Sequence, residues 1–236
     1  WNFFFPIAVS FSRDSRFLAV NLLKQDRKAP EMLAISPTVM LLDAQAGRVL
    51  KAMRNLNEYS RAADISPDGS MLLSGSYSGG AKLWALDGRL LGRLNGAGTA
   101  LDSVAFSRDG TRILATGEAG QTFLLDPDGN VLRSYLAKTW HAPAALSWDN
   151  KLIARFISRS VAADSGERFI RIEETESGKV LSEFPVKPPV RTLIFDPSGK
   201  YLIWPGGIWD IAAGALKKSL GENYSAAVSS VGAILA

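Results

Sequence analysis

Apolar residues along this chain favour alternation. Stretches such as Ser103-Val104-Ala105-Phe106, followed after a polar break by Ile113-Leu114-Ala115, read as strands with a buried face. No segment carries a clear helical period. Between the apolar stretches one turn motif recurs: Ser12-Arg13-Asp14-Ser15, Ser66-Pro67-Asp68-Gly69, Ser107-Arg108-Asp109-Gly110, Ser147-Trp148-Asp149-Asn150 and Asp196-Pro197-Ser198-Gly199. Successive copies start 54, 41, 40 and 49 residues apart. Asp-Gly between alternating apolar runs is a hairpin signal, and it predicts positive φ at Gly69, Gly110 and Gly199.

A second turn is interleaved with the first. It reads Asp43-Ala44-Gln45-Ala46-Gly47, Leu86-Asp87-Gly88, Asp126-Pro127-Asp128-Gly129, Glu174-Thr175-Glu176-Ser177-Gly178 and Asp210-Ile211-Ala212-Ala213-Gly214. Four of the five glycines are followed by a basic or amide residue and an apolar pair: Arg48-Val49-Leu50, Arg89-Leu90-Leu91, Asn130-Val131-Leu132 and Lys179-Val180-Leu181. Two hairpins in about 40 residues imply four strands per repeat, the make-up of a propeller blade. The spacing predicts an all-β chain with blades over roughly 6–52, 60–94, 100–136, 142–184 and 190–220, and the start of a sixth over 226–236, in one domain spanning 1–236.

These residues resemble the WD-repeat β-propellers. The third repeat fits best, with Gly96-Ala97 standing where that family has Gly-His, eight residues before Val104-Ala105-Phe106-Ser107-Arg108-Asp109-Gly110. The Trp-Asp pair that names the family survives at Trp209-Asp210. Its counterparts here are Leu42-Asp43, Trp84-Ala85, Leu125-Asp126 and Glu173-Glu174. Without the histidine the family's buried hydrogen-bond network is lost, and apolar packing should carry more of the blade. A propeller closes its ring because open sheet edges invite association. The expectation is a ring of six to eight blades, with seven preferred. The resemblance implies a non-enzymatic scaffold that presents its faces to other proteins.

Composition narrows the chemistry. The 236 residues are 47% hydrophobic and 21% charged, which excludes a disordered tail. No apolar run approaches the ~20 residues of a membrane-spanning helix. There is no cysteine and one histidine, His141, so thiol chemistry, disulfides and multi-histidine metal sites are excluded. Gly75-Ser76-Tyr77-Ser78-Gly79 has Tyr77 where a nucleophile elbow needs serine. Asp126-Pro127-Asp128-Gly129-Asn130 departs from a calcium loop, with glycine fourth instead of sixth. His141 reads as a loop residue between the third and fourth blades. Trp84, Trp148, Trp204 and Trp209 read as repeat-equivalent core residues. No catalytic residue, cofactor or metal site is assigned.

Charge is uneven. The two turn sets together carry twelve acids and nine bases, while the rest of the chain carries eighteen bases and eleven acids. Much of that surplus is assigned to loops at the opposite end of the strands, and the candidate docking residues are Lys24, Arg27, Lys28, Arg54, Arg61, Arg93, Lys138, Arg159, Arg168 and Arg191, with an acidic protein as the expected partner. Lys24–Pro37 and Ser158–Arg168 read as long connections between second and third strands. The high apolar content and a mean hydropathy of +0.05 fit large permanent interfaces in a multi-subunit assembly. Two alternatives stay open. One is a hydrolase or lactonase-type propeller with a metal in its channel, for which Asp64 and Asp102 are the inward acids. The other is a periplasmic propeller partnering envelope proteins, with a leader removed; otherwise a cytoplasmic site is expected. Nucleic acid and small-molecule substrates are not expected. Trp1–Phe5 shows no signal-peptide pattern, and the apolar run Ala233–Ala236 suggests part of a longer polypeptide.

Overall fold

The computed structural model describes residues 3–25, 35–53, 60–76, 80–94, 99–137, 139–159, 167–187, 190–221, 227–228 and 234–235. Among them the regular structure is entirely β. Five four-stranded antiparallel sheets follow one another: β1 (Phe3–Phe11), β2 (Phe17–Gln25), β3 (Ile35–Asp43) and β4 (Val49–Met53); β5 (Ser60–Ile65), β6 (Met71–Ser76), β7 (Ala81–Ala85) and β8 (Leu90–Leu94); β9 (Leu101–Phe106), β10 (Ile113–Gly117), β11 (Gln121–Leu125) and β12 (Val131–Leu136); β13 (Ala144–Leu146), β14 (Leu152–Ser158), β15 (Arg168–Glu174) and β16 (Val180–Pro185); β17 (Ile194–Phe195), β18 (Tyr201–Trp204), β19 (Gly207–Asp210) and β20 (Ala215–Ser219). A two-stranded sheet, β21 (Ala227–Val228) with β22 (Ile234–Leu235), ends the chain. Within each sheet, strands lie in chain order, as meanders joined by short turns must.

The chain divides into two compact units. One is Trp1–Phe106, Gly110–Gly117 and Phe123–Arg133; the other is Ser107–Asp109, Glu118–Thr122 and Ser134–Ala236. Inside each unit one packing rule repeats. In the first, Ala63 and Ile65 of β5 pack with Ala19 of β2 and Val39 and Leu41 of β3. Leu101 and Val104 of β9 pack with Leu73 of β6 and Ala81 and Leu83 of β7. In the second, Leu193 and Phe195 join Ala154 and Phe156 of β14 and Ile170 and Ile172 of β15. In these three pairs the first strand of the later sheet lies on the two middle strands of the sheet before it. Burying a side chain such as Phe195 contributes about 1.5–3 kcal/mol. At the matching positions of β1, Val9 and Phe11 are 56% and 59% exposed.

The outermost strands are treated differently. The apolar pairs Val49-Leu50, Leu90-Leu91, Val131-Leu132 and Val180-Leu181 are all exposed at the starts of β4, β8, β12 and β16. Strand β20 is exposed along its whole length and carries Lys217 and Lys218, charges that discourage edge pairing.

The hairpin turns have the positive φ that the motif predicts at glycine. Gly69, Gly110 and Gly199 have φ of 70°, 75° and 70°, while Asp68 and Asp109 are not in the left-handed region. Gly69 N–H closes the turn on the Ser66 carbonyl at 2.8 Å, so glycine is the fourth residue of the turn and only it turns left-handed. Ser15 and Asn150 take the same place with φ of 59° each. Asparagine tolerates that conformation; Ser15 is held by an N–H bond to the Ser12 carbonyl at 2.9 Å.

Candidate functional site

Antiparallel order places both turn sets at one end of each sheet and the longer connections at the other. The turn end is saturated with its own hydrogen bonds. Buried Ser66 donates its hydroxyl to Asp68 at 2.6 Å and accepts from Met71 N–H at 2.8 Å. Ser12 and Ser147 repeat this with Asp14 and Phe17, and with Asp149 and Leu152. Ser107 donates to Asp109 at 2.7 Å. In the fifth sheet Asp196 replaces serine, accepting from Tyr201 N–H at 2.6 Å and from the Ser198 hydroxyl. The serine hydroxyls, followed by backbone N–H donors, hold the Asp14 and Asp68 carboxyls below the usual carboxylate range. Arg108 lies over the Trp148 ring at 3.4 Å, and Asn150 donates to Asp109 at 2.8 Å. Trp148 is therefore a half-buried turn residue and not a core one, because its place in the repeat is the turn's second residue.

At the other end the candidate cations are scattered. Arg27, Lys28, Arg54 and Lys138 lie outside the described residues. Lys24 pairs with Ser36 inside the β2–β3 ladder, which runs further than the sequence suggested, so the connection is shorter than Lys24–Pro37. Arg61 falls at a register shift in β5, and Arg93 faces Lys82 from exposed β8. Arg159 and Arg168 come together where β14 and β15 meet, with Arg159 N–H donating to the Glu167 carbonyl at 3.2 Å. Arg191 is exposed ahead of β17. The Arg159 guanidinium bonds Glu183 at 2.6 Å, approaches Glu167 at 3.8 Å and covers the Phe169 ring at 4.3 Å. That pairing, with Arg171 2.6 Å from the same carboxylate, holds Glu183 low against the opposing effect of its burial.

Gly96-Ala97, the counterpart of the family's Gly-His, lies outside the described residues; strand register shows instead what the Trp position of each repeat contacts. Trp84 pairs across from Leu72, and its Nε1 donates to Ser74 Oγ at 2.9 Å. In the fourth sheet the matching positions hold Glu173, across from Ile153, and Arg155. They form a buried ion pair, with Arg155 Nη2 at 2.8 and 2.9 Å from the two Glu173 oxygens and its guanidinium 4.0 Å from the Tyr135 ring. In the fifth sheet they hold Trp209, across from Leu202, and Trp204. No acceptor replaces Ser74 there, so Trp209 Nε1 is buried without a partner and the indole stacks on Phe184 at 3.7 Å. Trp204 and Trp209 are core residues as expected, but they occupy different places in the repeat.

Asp64 performs a structural task. Its carboxyl accepts from Ser10 Oγ on β1, from its neighbour Ile65 N–H at 2.9 Å and from Phe106 N–H on β9 at 2.7 Å, tying three sheets of the first unit together. Dense surroundings push its pKa up despite these donors. Asp102 lies at the start of β9, half-buried. Among the described residues no group of three or more histidines and carboxylates is placed to hold a metal ion. The sequence showed Asp64 as an inward acid; its use by neighbouring strands needed the fold.

Residues 57–85 match the family described as "WD domain, G-beta repeat". This is the repeat that keeps both the Ser-Pro-Asp-Gly turn and the Trp84–Ser74 bond. A chain of "Kuenenia stuttgartiensis Hydrazine Synthase" is similar in fold, with a TM-score of 0.72 and 17% identity over 96% of this chain and 71% of that one. The chain has a β-propeller fold, with a WD-type repeat at residues 57–85. No curated protein matches it as a sequence relative. WD-type propellers commonly mediate protein interactions. No helix among the described residues of this propeller is long and apolar enough to cross a membrane.

Proposed function

We propose that this propeller is a non-enzymatic protein-interaction scaffold within a larger assembly, docking an acidic partner through the end of its sheets that carries the long connections. The observation that supports this reading most is the contrast between the two ends. One end spends its polar groups on internal turn bonds, while the sequence assigns to the connections at the other end Lys24, Arg27, Lys28, Arg54, Arg61, Arg93, Lys138, Arg159, Arg168 and Arg191. Rigid sheets holding variable connections are a general solution for recognition. In the same reading the ring has seven blades, and exposed Val9 and Phe11 are positions that a further blade covers.

The test is charge reversal of Arg27, Lys28, Arg159 and Arg168 together in the full-length protein, followed by the size of its native complex on gel filtration. The reversed protein should run smaller than wild type at low salt, and the difference should shrink as salt rises, because exposed charges are screened within ~8–10 Å. Reversal of Arg48 and Arg89 at the turn end is the control and should change nothing. Identical complexes for wild type and the quadruple variant at low salt would refute the basic-face reading and leave the fold untouched.

A further inference from the structure

The connection from β12 to β13 displays Trp140, 68% exposed, beside Leu136 at 60%. These are the most exposed large apolar side chains among the described residues. The backbone carrying the indole is firmly held. Ala137 N–H donates to the Gly120 carbonyl at 2.9 Å, and the Ala137 carbonyl accepts from Ser158 N–H at 2.8 Å. His141 N–H donates to the Glu118 carbonyl at 3.0 Å, and the Pro143 carbonyl accepts from Phe156 N–H at 3.0 Å. His141 has φ of 51°, left-handed without being glycine. Such a residue persists where its surroundings over-determine it, and it is found often at functional sites. Thr139 closes over Gly120 so tightly that a Cβ there would stand 2.1 Å from the Thr139 carbonyl oxygen.

Scattered exposed apolar residues are ordinary, but an exposed tryptophan on a hydrogen-bonded loop offers large contact area with little backbone ordering cost on binding. Its setting selects the partner. Arg159 follows β14, Arg168 opens β15, and exposed Lys187 and Arg191 follow β16, all on connections at the same end of the fourth sheet. Among the described residues the acids there are Glu118 and Glu167, with Glu183 already shared between Arg159 and Arg171, and the cations outnumber them.

We propose that Trp140 is the anchor of the docking face, its indole entering an apolar pocket on an acidic protein segment whose carboxylates meet Arg159, Arg168, Lys187 and Arg191. This rests on the scaffold reading above. A protein occupant is favoured over single-stranded nucleic acid because strand binding uses a succession of stacking rings, and Trp140 is the lone exposed large ring on the described parts of these connections.

The experiment selects short random phage-displayed peptides on the purified full-length protein, then measures synthesised winners by fluorescence polarisation. Winners should be acidic and contain an aliphatic or aromatic residue. Trp140→Ala should weaken them about tenfold or more, the loss expected of an aromatic hot spot, while Trp140→Phe stays within about threefold. His141→Gly keeps the ring but frees the backbone; it should weaken binding with thermal unfolding unchanged or raised. Acidic winners that bind Trp140→Ala as tightly as wild type, yet are lost on Arg159→Glu/Arg168→Glu, would overturn the anchor and leave the basic face standing. A selection with no acidic winner would overturn both. Tight binding of oligouridine that depends on Trp140 would overturn the protein occupant.

Discussion

Removing one member of the Arg155–Glu173 pair should cost far more than removing both. The two side chains are 6% exposed each, and one guanidinium nitrogen bonds both carboxylate oxygens at 2.8 and 2.9 Å. Glu173→Ala leaves the Arg155 guanidinium buried against Tyr135 with Glu173's two acceptors gone. The expected loss is about 3–5 kcal/mol, as for other broken buried pairs. For a chain of this size each kcal/mol lowers the melting temperature by about 2–4 °C, so the fall is roughly 6–20 °C. Arg155→Met with Glu173→Leu removes both charges at similar volume and should lie within about 1–2 kcal/mol of wild type. Arg155→Ser with Glu173→Trp recreates the second sheet's Ser74–Trp84 arrangement and should recover part of the single-variant loss. The assay is a double-mutant cycle by urea unfolding, with calorimetry alongside. Single variants costing under about 1 kcal/mol and adding in the double would show that water reaches the pair, and would refute the reasoning.

Other expectations are smaller. Ser66→Ala strips a buried acceptor from Met71 N–H and a donor from Asp68, and should cost about 1–3 kcal/mol in chemical unfolding. Gly110→Val meets only Pro67 at 3.5 Å, so its loss of about 1–2 kcal/mol comes from the left-handed backbone, and a melting point equal to wild type would contradict the turn. Burial raises the Asp64 pKa above the usual carboxylate range, so the folded protein holds that proton to higher pH than the unfolded chain. Its contribution to stability therefore falls as pH rises from about 4 through the raised value. Melting temperatures from pH 4 to 7 should show wild type losing ground to Asp64→Asn across that window, and a constant gap would rule the shift out.

How much was legible depended on the range of the interactions. The doubled turns, the strand period and the five blades were written locally, because a Ser-x-Asp-Gly turn satisfies its own hydrogen bonds within six residues and a pleat repeats every two. The partners of the residues at the Trp position were not. Arg155 and Glu173 lie eighteen residues apart and meet only once β14 and β15 are in register. Asp64 finds Ser10 and Phe106 only when three sheets are side by side, and this turns an apparent channel acid into a strand tie. The sequence assigned cations to the longer connections, yet packing decided which are committed, as Arg159 is to Glu183. Trp140 was one aromatic among many in the sequence. Only the fold, by pinning its loop to Gly120, Glu118, Ser158 and Phe156, kept its ring out of the core and fixed it in solvent.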